Sequence, residues 1–428
     1  MKKLRDYAAV VGEDTIDQLE RLADGLSSRS ILHVNSTSVG GGVAEILNRL
    51  VPLSNDLGLD TRWDVIQGDD KFFNVTKKFH NALQGAPENI TKEMLDTYLR
   101  YNQKNKENIS FDKDVTVIHD PQPAAMIDRS VDTNWVWRCH IDVSTSLRYR
   151  PAFELIGIRR HIKKALLSQT KVWNFLKTFV ENYNASIFSV ASFARQDLKI
   201  PQFLVSPSID PLGEKNRKLK ESEIDKVLER YEISREKPII TQVGRFDMFK
   251  DPLGVVEAFK IVKKSMDCQL ILAGGGATDD PESDRVFKQT QEKAEGLDDV
   301  HLIILPPFSD LEINVFQTVS SVVLQKSLKE GFGLTISEAL WKGVPVIGGA
   351  IGGIPTQIID GVTGHLVHST EGAANKITYL LRNPEEAKRL GKNGREYVKE
   401  RFLLTRHLRD YLLIMHSIEH PGETTIQV

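Results

Sequence analysis

The feature that most constrains the fold is a regular alternation of short apolar runs with longer amphipathic stretches. This pattern is typical of βαβ units that build a parallel sheet with helices on both faces. In the first half, strands are predicted at residues 30–35, 60–67, 115–119, 135–140, 186–190 and 203–205. In the second half, they are predicted at residues 238–243, 269–273, 301–305, 321–325, 344–347 and 365–367. The alternation therefore predicts an α/β protein with two doubly wound, Rossmann-like domains.

The alternation breaks once, in a stretch rich in proline. Residues 201–216 contain Pro201, Pro207, Pro211 and Gly213 with little periodicity, which is typical of an interdomain linker. We predict an N-terminal domain over residues 1–205 and a C-terminal domain over residues 206–394. The helical end, residues 395–428, is expected to return and join the N-terminal domain.

Composition excludes several classes of partner. The formal net charge of −2 on 428 residues does not favour nucleic acid or an anionic membrane. No apolar run reaches the ~18 residues of a membrane span, and the N-terminus shows no signal peptide. The chain has two cysteines, Cys139 and Cys268, so a disulfide framework and a cysteine-rich zinc site are not expected. These observations predict a cytoplasmic protein.

The densest candidate site is the stretch 329–338, Lys-Glu-Gly-Phe-Gly-Leu-Thr-Ile-Ser-Glu. An apolar run precedes it, and together the two segments predict a strand, a tight loop and the start of a helix. Gly331 and Gly333 allow backbone amides to approach a ligand, and Thr335 or Ser337 is expected to cap the helix, whose start favours an anion. Two carboxylates beside an anion fit a ligand that also carries hydroxyl groups, as a nucleotide sugar does. The alternative is that Glu330 is a solvated loop residue and Glu338 an ordinary acid at a helix N-terminus.

A second loop in the same half carries two cations. Arg245 and Lys250 lie five residues apart just after a predicted strand, a spacing that suits two cations converging on a diphosphate. An ordinary surface turn is the alternative. Residues 274–276 and 352–353 are further glycine loops at predicted strand ends.

The first half offers three polar strand ends. Residues 36–42 form a glycine loop before a predicted helix, which suits the approach of a phosphate, or is a plain flexible turn. Asp120 could orient a sugar hydroxyl and His140 could donate to one, although a single histidine is more often structural. The basic run 159–164 reads as a solvated helix face, with an acceptor-phosphate or partner site as the alternative.

Taken together, these motifs resemble the retaining glycosyltransferases of the GT-B fold known as family 4. The resemblance rests on Gly244-Arg245-Phe246 with Lys250, on Glu330 and Glu338 eight residues apart, and on the glycine motifs at 343–347 and 361–364. The first half, through residues 36–45, 119–122 and 138–142, together with residues 208–212, is similar to the trehalose-forming branch of that family. Such a fold implies two domains that face a central cleft.

The resemblance also implies a role for each matched residue. Arg245 and Lys250 would hold the donor diphosphate, and backbone amides near Leu334 and Thr335 would meet its phosphates. Glu330 would accept hydrogen bonds from hydroxyls of the donor sugar, and Glu338 would accept from the ribose. His140 would contact the transferred sugar, Asp120 would lie beside the acceptor, and Gly41 and Gly42 would let the first domain approach the phosphates. The family needs no metal or other cofactor; nucleotide-diphosphate glucose is a substrate.

The expected reaction moves glucose from UDP-glucose or ADP-glucose to glucose, forms trehalose with retention and is reversible. The alternatives are a trehalose phosphorylase, a glucosyltransferase that uses another sugar or a sugar phosphate, and a non-catalytic nucleotide-sugar sensor. Its partners are expected to be small sugars and nucleotide sugars. The oligomeric state is left open, with a homodimer as one option.

Overall fold

The computed structural model describes residues 2–26, 29–38, 41–144, 157–275 and 281–422, with the side chains of 157–162 and 281–282 left aside. The chain divides into two compact units, Met1–Ser206 with His407–Val428, and Pro207–Arg406. Each unit holds a six-stranded parallel sheet with helices packed against it, so the predicted α/β class with two doubly wound, Rossmann-like domains is confirmed. Gly40 and Gly276, which fall in two of the predicted glycine loops, lie outside the described residues.

The first unit is built on a sheet with the strand order β2-β1-β3-β4-β5-β6. Its strands are β1 (Ser30–Asn35), β2 (Asp60–Val65), β3 (Val115–His119), β4 (Asn134–Cys139), β5 (Ala185–Phe188) and β6 (Gln202–Leu204). Its first helices are α1 (Ala8–Val11), α2 (Glu13–Asp24), α3 (Gly42–Asp56), α4 (Asp70–Leu83), α5 (Lys92–Asn108) and α6 (Gly157–Val180).

The second unit is built on a sheet with the order β12-β11-β10-β7-β8-β9. Its strands are β7 (Ile239–Val243), β8 (Gln269–Gly275), β9 (Val300–Leu305), β10 (Val322–Gln325), β11 (Val346–Gly349) and β12 (His365–Val367). The remaining helices are α7 (Glu221–Arg230), α8 (Pro252–Lys263), α9 (Pro281–Ala294), α10 (Asp310–Thr318), α11 (Leu334–Trp341), α12 (Ile354–Gln357), α13 (Thr370–Arg382), α14 (Pro384–Arg401) and α15 (Leu404–Glu419), the last of which runs into the first unit.

The central strands are apolar because both faces of each sheet are covered. Every residue of β3 and of β7 is buried, as parallel strands between two helical layers must be. In the second unit, Ile240 packs on one side of the sheet in a cluster with residues of α8 and α13. Ile239 packs on the other side with residues of α7 and α10. Two hydrophobic clusters, one on each face, thus pack helices against the same sheet.

Each sheet reverses its strand order once, and this reversal marks where a ligand would bind. In the second unit, β7, β8 and β9 run outward in one direction, while β10, β11 and β12 run outward in the other. In open α/β sheets, ligands bind outside the carboxyl ends of the strands at such a reversal. The loops after β7 and β10 leave from this point. In the first unit, the equivalent reversal lies between β1 and β3.

Candidate active site

The loops after β7 and β10 are tied to each other at the sheet reversal of the second unit. The main-chain carbonyl of Phe249 accepts from the Leu328 amide at 2.7 Å. Gln242, in β7, donates through Nε2 to the Lys250 carbonyl at 3.0 Å. A side chain at Gly244 would contact the aliphatic stem of Lys250 at 3.7 Å, so the lysine stem lies across that glycine. Lys250 is therefore held on both its backbone and its side chain.

The Lys250 ammonium is paired with the Glu330 carboxylate. Lys250 Nζ donates to Glu330 Oε2 at 2.5 Å, and the same oxygen accepts from Ser327 Oγ at 3.1 Å and from Gln325 Nε2 at 3.3 Å. The Glu330 side chain is 10% exposed and that of Lys250 is 21% exposed. Glu330 is therefore a fixed, largely buried carboxylate, which excludes the alternative that it is a solvated loop residue.

Helix α11 begins immediately beside this pair. Its N-cap is Gly333, which has φ of 83°, a left-handed conformation that favours glycine. A Cβ built at Gly333 would lie 3.2 Å from Glu330 Cγ. The glycine therefore serves both the turn and the close approach of Glu330.

The predicted cap by Thr335 or Ser337 is wrong. No side chain caps α11. Ser337 Oγ instead donates to Gln357 Oε1 at 2.5 Å, and Thr335 Oγ1 lies 3.5 Å from the Val243 carbonyl at the end of β7. Because the first amides of a helix have no acceptor within it, the uncapped start at Leu334 and Thr335 suits an anion. The Thr335 contact also places this start beside the end of β7.

Arg245 lies on the same loop as Lys250 but in a different environment. Its side chain is 67% exposed, and one guanidinium nitrogen is 3.4 Å from Asp247 Oδ2. Asp247 in turn accepts from the Lys250 amide at 3.0 Å and so closes the short 3₁₀ turn Met248–Lys250. Arg245 is therefore a long cation attached to a fixed loop, with room to change its rotamer.

Two further glycines pack this edge of the sheet closely. A Cβ at Gly274 would lie 1.8 Å from the Gly244 carbonyl oxygen, and one at Gly352 would lie 1.8 Å from the Glu330 carbonyl oxygen. Gly353 also donates to the Gly331 carbonyl at 2.9 Å. The loops that carry Arg245 and Glu330 are thus supported from behind by backbone that only glycine allows.

Glu338 lies inside the second unit and is 4% exposed. Gln317 Nε2 donates to its Oε2 at 3.2 Å, and Lys215 Nζ lies 3.7 Å from its Oε1. Lys342, one turn further along the chain, donates to the Glu338 carbonyl at 3.2 Å, and burial lowers the pKa of its ammonium to about 7. Glu338 is therefore the centre of a buried polar cluster and is not solvated.

The sequence interpretation missed Lys215, Gln317 and Lys342. Only Lys342 carried a usable signal, because residues four apart share one face of a helix. Lys215 lies in the predicted linker and Gln317 near the end of α10, and both are far from Glu338 in the sequence. No local pattern connects them to it.

In the first unit, Gly41 and Gly42 begin helix α3. Gly41 is the N-cap with φ of 86°, and no side chain caps this helix. A side chain at Gly41 would meet nothing within 4 Å, so only the backbone conformation requires glycine there. The start of α3 follows β1, at the strand reversal of the first sheet.

Asp120 and His140 are brought together beyond the ends of β3 and β4. Asp120 has φ of 67°, and its Oδ1 accepts from the His140 amide at 2.8 Å. Burial raises the pKa of the Asp120 carboxyl to about 6, against the opposing effects of that hydrogen bond and of Arg138. The His140 imidazole is hydrogen-bonded to His119, which in turn is hydrogen-bonded to His33. The sequence interpretation assigned no role to either of these two histidines.

The described part of the chain shows no candidate metal cluster, no membrane-spanning helix and no paired cysteines. Its His, Cys, Asp and Glu residues include no group of three placed to hold a metal ion. Within the same ranges, no helix combines the length and apolar character needed to cross a bilayer. Cys139 and Cys268 are both buried and free.

Comparison with known proteins agrees with this geometry. The family description "Glycosyl transferases group 1" matches residues 223–397, which include both loops at the sheet reversal. A solved structure of sucrose-phosphate synthase from Thermosynechococcus elongatus superposes with a TM-score of 0.68 at 19% identity, over 92% of this chain and 99% of that one. The fold and the loops together define a glycosyltransferase of the GT-B fold.

Comparison of the first half of the chain with known proteins identifies a narrower family within this class. The description "Trehalose synthase, N-terminal domain" matches residues 33–195. A trehalose synthase of Thermococcus litoralis is 45% identical over 422 residues, 97% of each chain. The chain therefore belongs to the trehalose synthase family. A trehalose phosphorylase of Grifola frondosa is 28% identical over 86% of this chain, which spans about half (54%) of the phosphorylase.

Proposed function

We propose that this protein transfers glucose from a nucleotide-diphosphate glucose to free glucose and so forms trehalose reversibly, with retention at the anomeric carbon. The observation that carries the proposal is the Lys250–Glu330 pair beside the uncapped start of α11. A cation, a carboxylate and free amides at one point of a sheet suit a ligand made of phosphate and sugar. The similarity to trehalose synthases along nearly the whole chain supports the choice of glucose as acceptor.

The second unit would hold the donor. Lys250 and the exposed Arg245 would bind the diphosphate together with the amides of Leu334 and Thr335. Glu330 would accept from hydroxyls of the glucosyl group, and Glu338, inside its cluster, would face the ribose. Gly331 and Gly333 would keep the loop close to the phosphates.

The bond to be broken joins the anomeric carbon to the diphosphate. Negative charge builds on the leaving oxygen, so preorganised cations and helix amides at that point lower the barrier. The glucosyl group becomes oxocarbenium-like, and the acceptor hydroxyl attacks from the face that the leaving group vacates. A diphosphate oxygen takes the proton of that hydroxyl, so the products are trehalose and the nucleoside diphosphate.

In the first unit, the family resemblance gives each candidate residue a proposed role. His140 would contact the transferred sugar, Asp120 the acceptor, and Gly41 with Gly42 the donor phosphates at the start of α3. The reaction needs no cofactor in this proposal. The two buried, free cysteines suit a reducing compartment, so we place the enzyme in the cytoplasm.

The direct test is incubation of the protein with UDP-glucose or ADP-glucose and a panel of free sugars. We expect release of the nucleoside diphosphate only when a suitable acceptor is present. When the acceptor is glucose, NMR of the product should show a single α-anomeric signal, because the two anomeric centres of the symmetric product are equivalent. Absence of donor consumption with every sugar, or a β-linked product, would contradict the proposal.

A trehalose phosphorylase is the second candidate, favoured by the similarity to the Grifola frondosa enzyme. Free phosphate could occupy the place proposed for the β-phosphate beside Lys250. The two reactions separate in one assay, which contains trehalose and inorganic phosphate and no nucleotide. Formation of glucose 1-phosphate there would favour the phosphorylase, whereas trehalose breakdown that depends on a nucleoside diphosphate would favour the synthase.

A further inference from the structure

Three histidines from neighbouring strands of the first unit form a continuous chain of hydrogen bonds. His33 lies in β1, His119 ends β3, and His140 follows β4, and these three strands are adjacent in the sheet. His33 Nδ1 lies 3.0 Å from His119 Nε2, and His119 Nδ1 lies 3.0 Å from His140 Nε2. The chain therefore runs from the buried middle of β1 to a residue that we place at the transferred sugar.

The chemistry of imidazole makes this chain directional. A neutral imidazole has one nitrogen that donates and one that accepts. Because both nitrogens of His119 are engaged, His119 must donate to one neighbour and accept from the other. All N–H groups of the chain then point the same way, so the proton position on His33 fixes the character of His140 Nδ1.

The surroundings keep the three rings neutral. His33 is 1% exposed, and burial lowers its pKa to about 3. Burial also lowers the pKa of His119 and of His140, and the Arg138 guanidinium nearby lowers both further. His407 acts on His140 in the same direction, while Tyr411 packs its ring 5.9 Å from that of His33. An added proton is thus disfavoured at every ring of the chain.

We propose that His33 and His119 are positioning residues that hold His140 in a single neutral tautomer. His140 Nδ1 then offers a sugar hydroxyl a fixed donor or acceptor, which the wrong tautomer would leave unmatched. The inference rests on the sugar-contacting role of His140 in the proposed function. If the three histidines merely filled the core, packing volume would matter at His33 and the identity of its polar atoms would not.

The tautomers can be read directly in the full-length protein. Long-range ¹H–¹⁵N correlation spectra of protein labelled with ¹⁵N-histidine distinguish the two neutral forms and the cation, and the variant His140→Asn identifies the His140 signals. We expect His33, His119 and His140 each to show one neutral tautomer, all of the same sense, from about pH 6 to 8. A cationic ring, or two tautomers in comparable amounts at His119 or His140, would overturn the proposal.

Two substitutions of matched size then test the transmission. Asn at position 33 keeps a polar atom close to the site of Nδ1, whereas Leu of similar shape removes it. We expect His33→Leu to change the tautomer of His140, two rings away, and to lower kcat about tenfold, the typical effect of one hydrogen bond. His33→Asn should keep a single tautomer and kcat within about threefold of the wild type.

The outcomes separate this inference from the proposed function. Unchanged His140 spectra in a folded His33→Leu variant, or equal loss of kcat in both variants, would refute the positioning role. If His33→Leu does not fold, the wild-type spectra decide alone. If the wild-type protein shows no glucosyl transfer with any sugar, the proposed function fails, and the spectra still report whether the chain exists.

Discussion

The Lys250 ammonium donates to the Glu330 carboxylate at 2.5 Å, so the cation proposed for the diphosphate and the carboxylate proposed for the sugar share one hydrogen bond. Ser327 and Gln325 donate to the same carboxylate oxygen. Glu330 therefore keeps two donors when Lys250 turns toward a phosphate. Because these two donors remain, Lys250 can move without leaving the buried Glu330 carboxylate without a hydrogen bond. Each of the two residues can therefore be mutated separately.

Replacing Lys250 by Ala should mainly lower turnover. Lys250 would stabilise charge that develops on the leaving diphosphate, and loss of one such donor typically lowers kcat about 10²–10³-fold. We expect a loss of that order in kcat for glucosyl transfer, with the KM for glucose changed little. Initial rates with varied glucose at saturating donor measure both quantities.

The control for this experiment is Lys264→Ala, at an exposed lysine just after α8 in the same unit. It removes the same charge from the protein at a position outside the proposed site and should leave kcat within about twofold, as expected for most surface substitutions. Equal kcat in Lys250→Ala and in the control would refute the assigned role of Lys250.

Replacing Glu330 by Gln should weaken donor recognition. The change keeps the side-chain shape but removes the charge that accepts from Lys250 and, in the proposal, from sugar hydroxyls. Hydrogen bonds to a charged group contribute about 1.5–3 kcal/mol, so kcat/KM for the donor should fall on the order of 10- to 100-fold. Steady-state kinetics with varied nucleotide-diphosphate glucose give this value.

A matched change at Glu257 serves as the control. That glutamate lies on helix α8 of the same unit, where it pairs with Lys260 and Lys293, and its side chain is 41% exposed. Glu257→Gln should leave donor kinetics unaltered. A Glu330→Gln enzyme that matched it would show that Glu330 does not contact the donor.

The parts of the site that follow from local spacing were accessible from the sequence. Glu330, Gly333 and the start of α11 lie within a few residues of one another, after a strand that the apolar pattern predicts. The side-chain cap was mispredicted because Gly333 takes a left-handed conformation and Ser337 turns inward to Gln357. A residue's direction within a helix depends on its packing partners, which the local pattern does not contain.

Contacts between distant segments could not be read in this way. Lys215 reaches Glu338 from the predicted linker, and His33 reaches His119 across two adjacent strands. The sheet order that makes β1 and β3 neighbours is what brings the second pair together. An isolated histidine in a buried strand looks the same in the sequence whether or not it has a partner.

Alanine substitutions at Gly333 and at Gly296 distinguish the effect of backbone strain from the effect of disturbing the proposed site. Both have positive φ, 83° and 73°, so Ala at either should destabilise the protein by about 1–2 kcal/mol. A Cβ at Gly333 would meet Glu330 Cγ at 3.2 Å, whereas one at Gly296 meets nothing within 4 Å. We therefore expect similar losses of stability but a loss of kcat only in Gly333→Ala.

Denaturant unfolding measures the first effect and glucosyl transfer the second. Equal activity in the two variants would mean that the loop before α11 tolerates displacement of Glu330. That result would count against a role for Glu330 and the helix start in donor binding.

The buried carboxyl of Asp120 should make the pH dependence of stability unusual. Burial raises its pKa from 3.8 to about 6, so the native state binds this proton more tightly than the unfolded chain does. The contribution of Asp120 to the free energy of unfolding is therefore most favourable below pH 4 and is lost as pH rises to about 6, by about 3 kcal/mol at most. Asp120→Asn keeps an acceptor for the His140 amide and removes this titration.

We expect the difference in unfolding free energy, Asp120→Asn minus wild type, to rise between pH 4 and pH 6.5 and then to level off. Taking the difference cancels the opposite contribution of the buried histidines, whose lowered pKa values favour the native state as pH rises. Asp128 provides the contrast, because its hydrogen bonds with Ser130 and Lys106 lower its pKa to about 2. Asp128→Asn should lose stability relative to wild type as pH rises through 4, and a curve of that sign for Asp120→Asn would show that the Asp120 carboxylate is stabilised in the native protein.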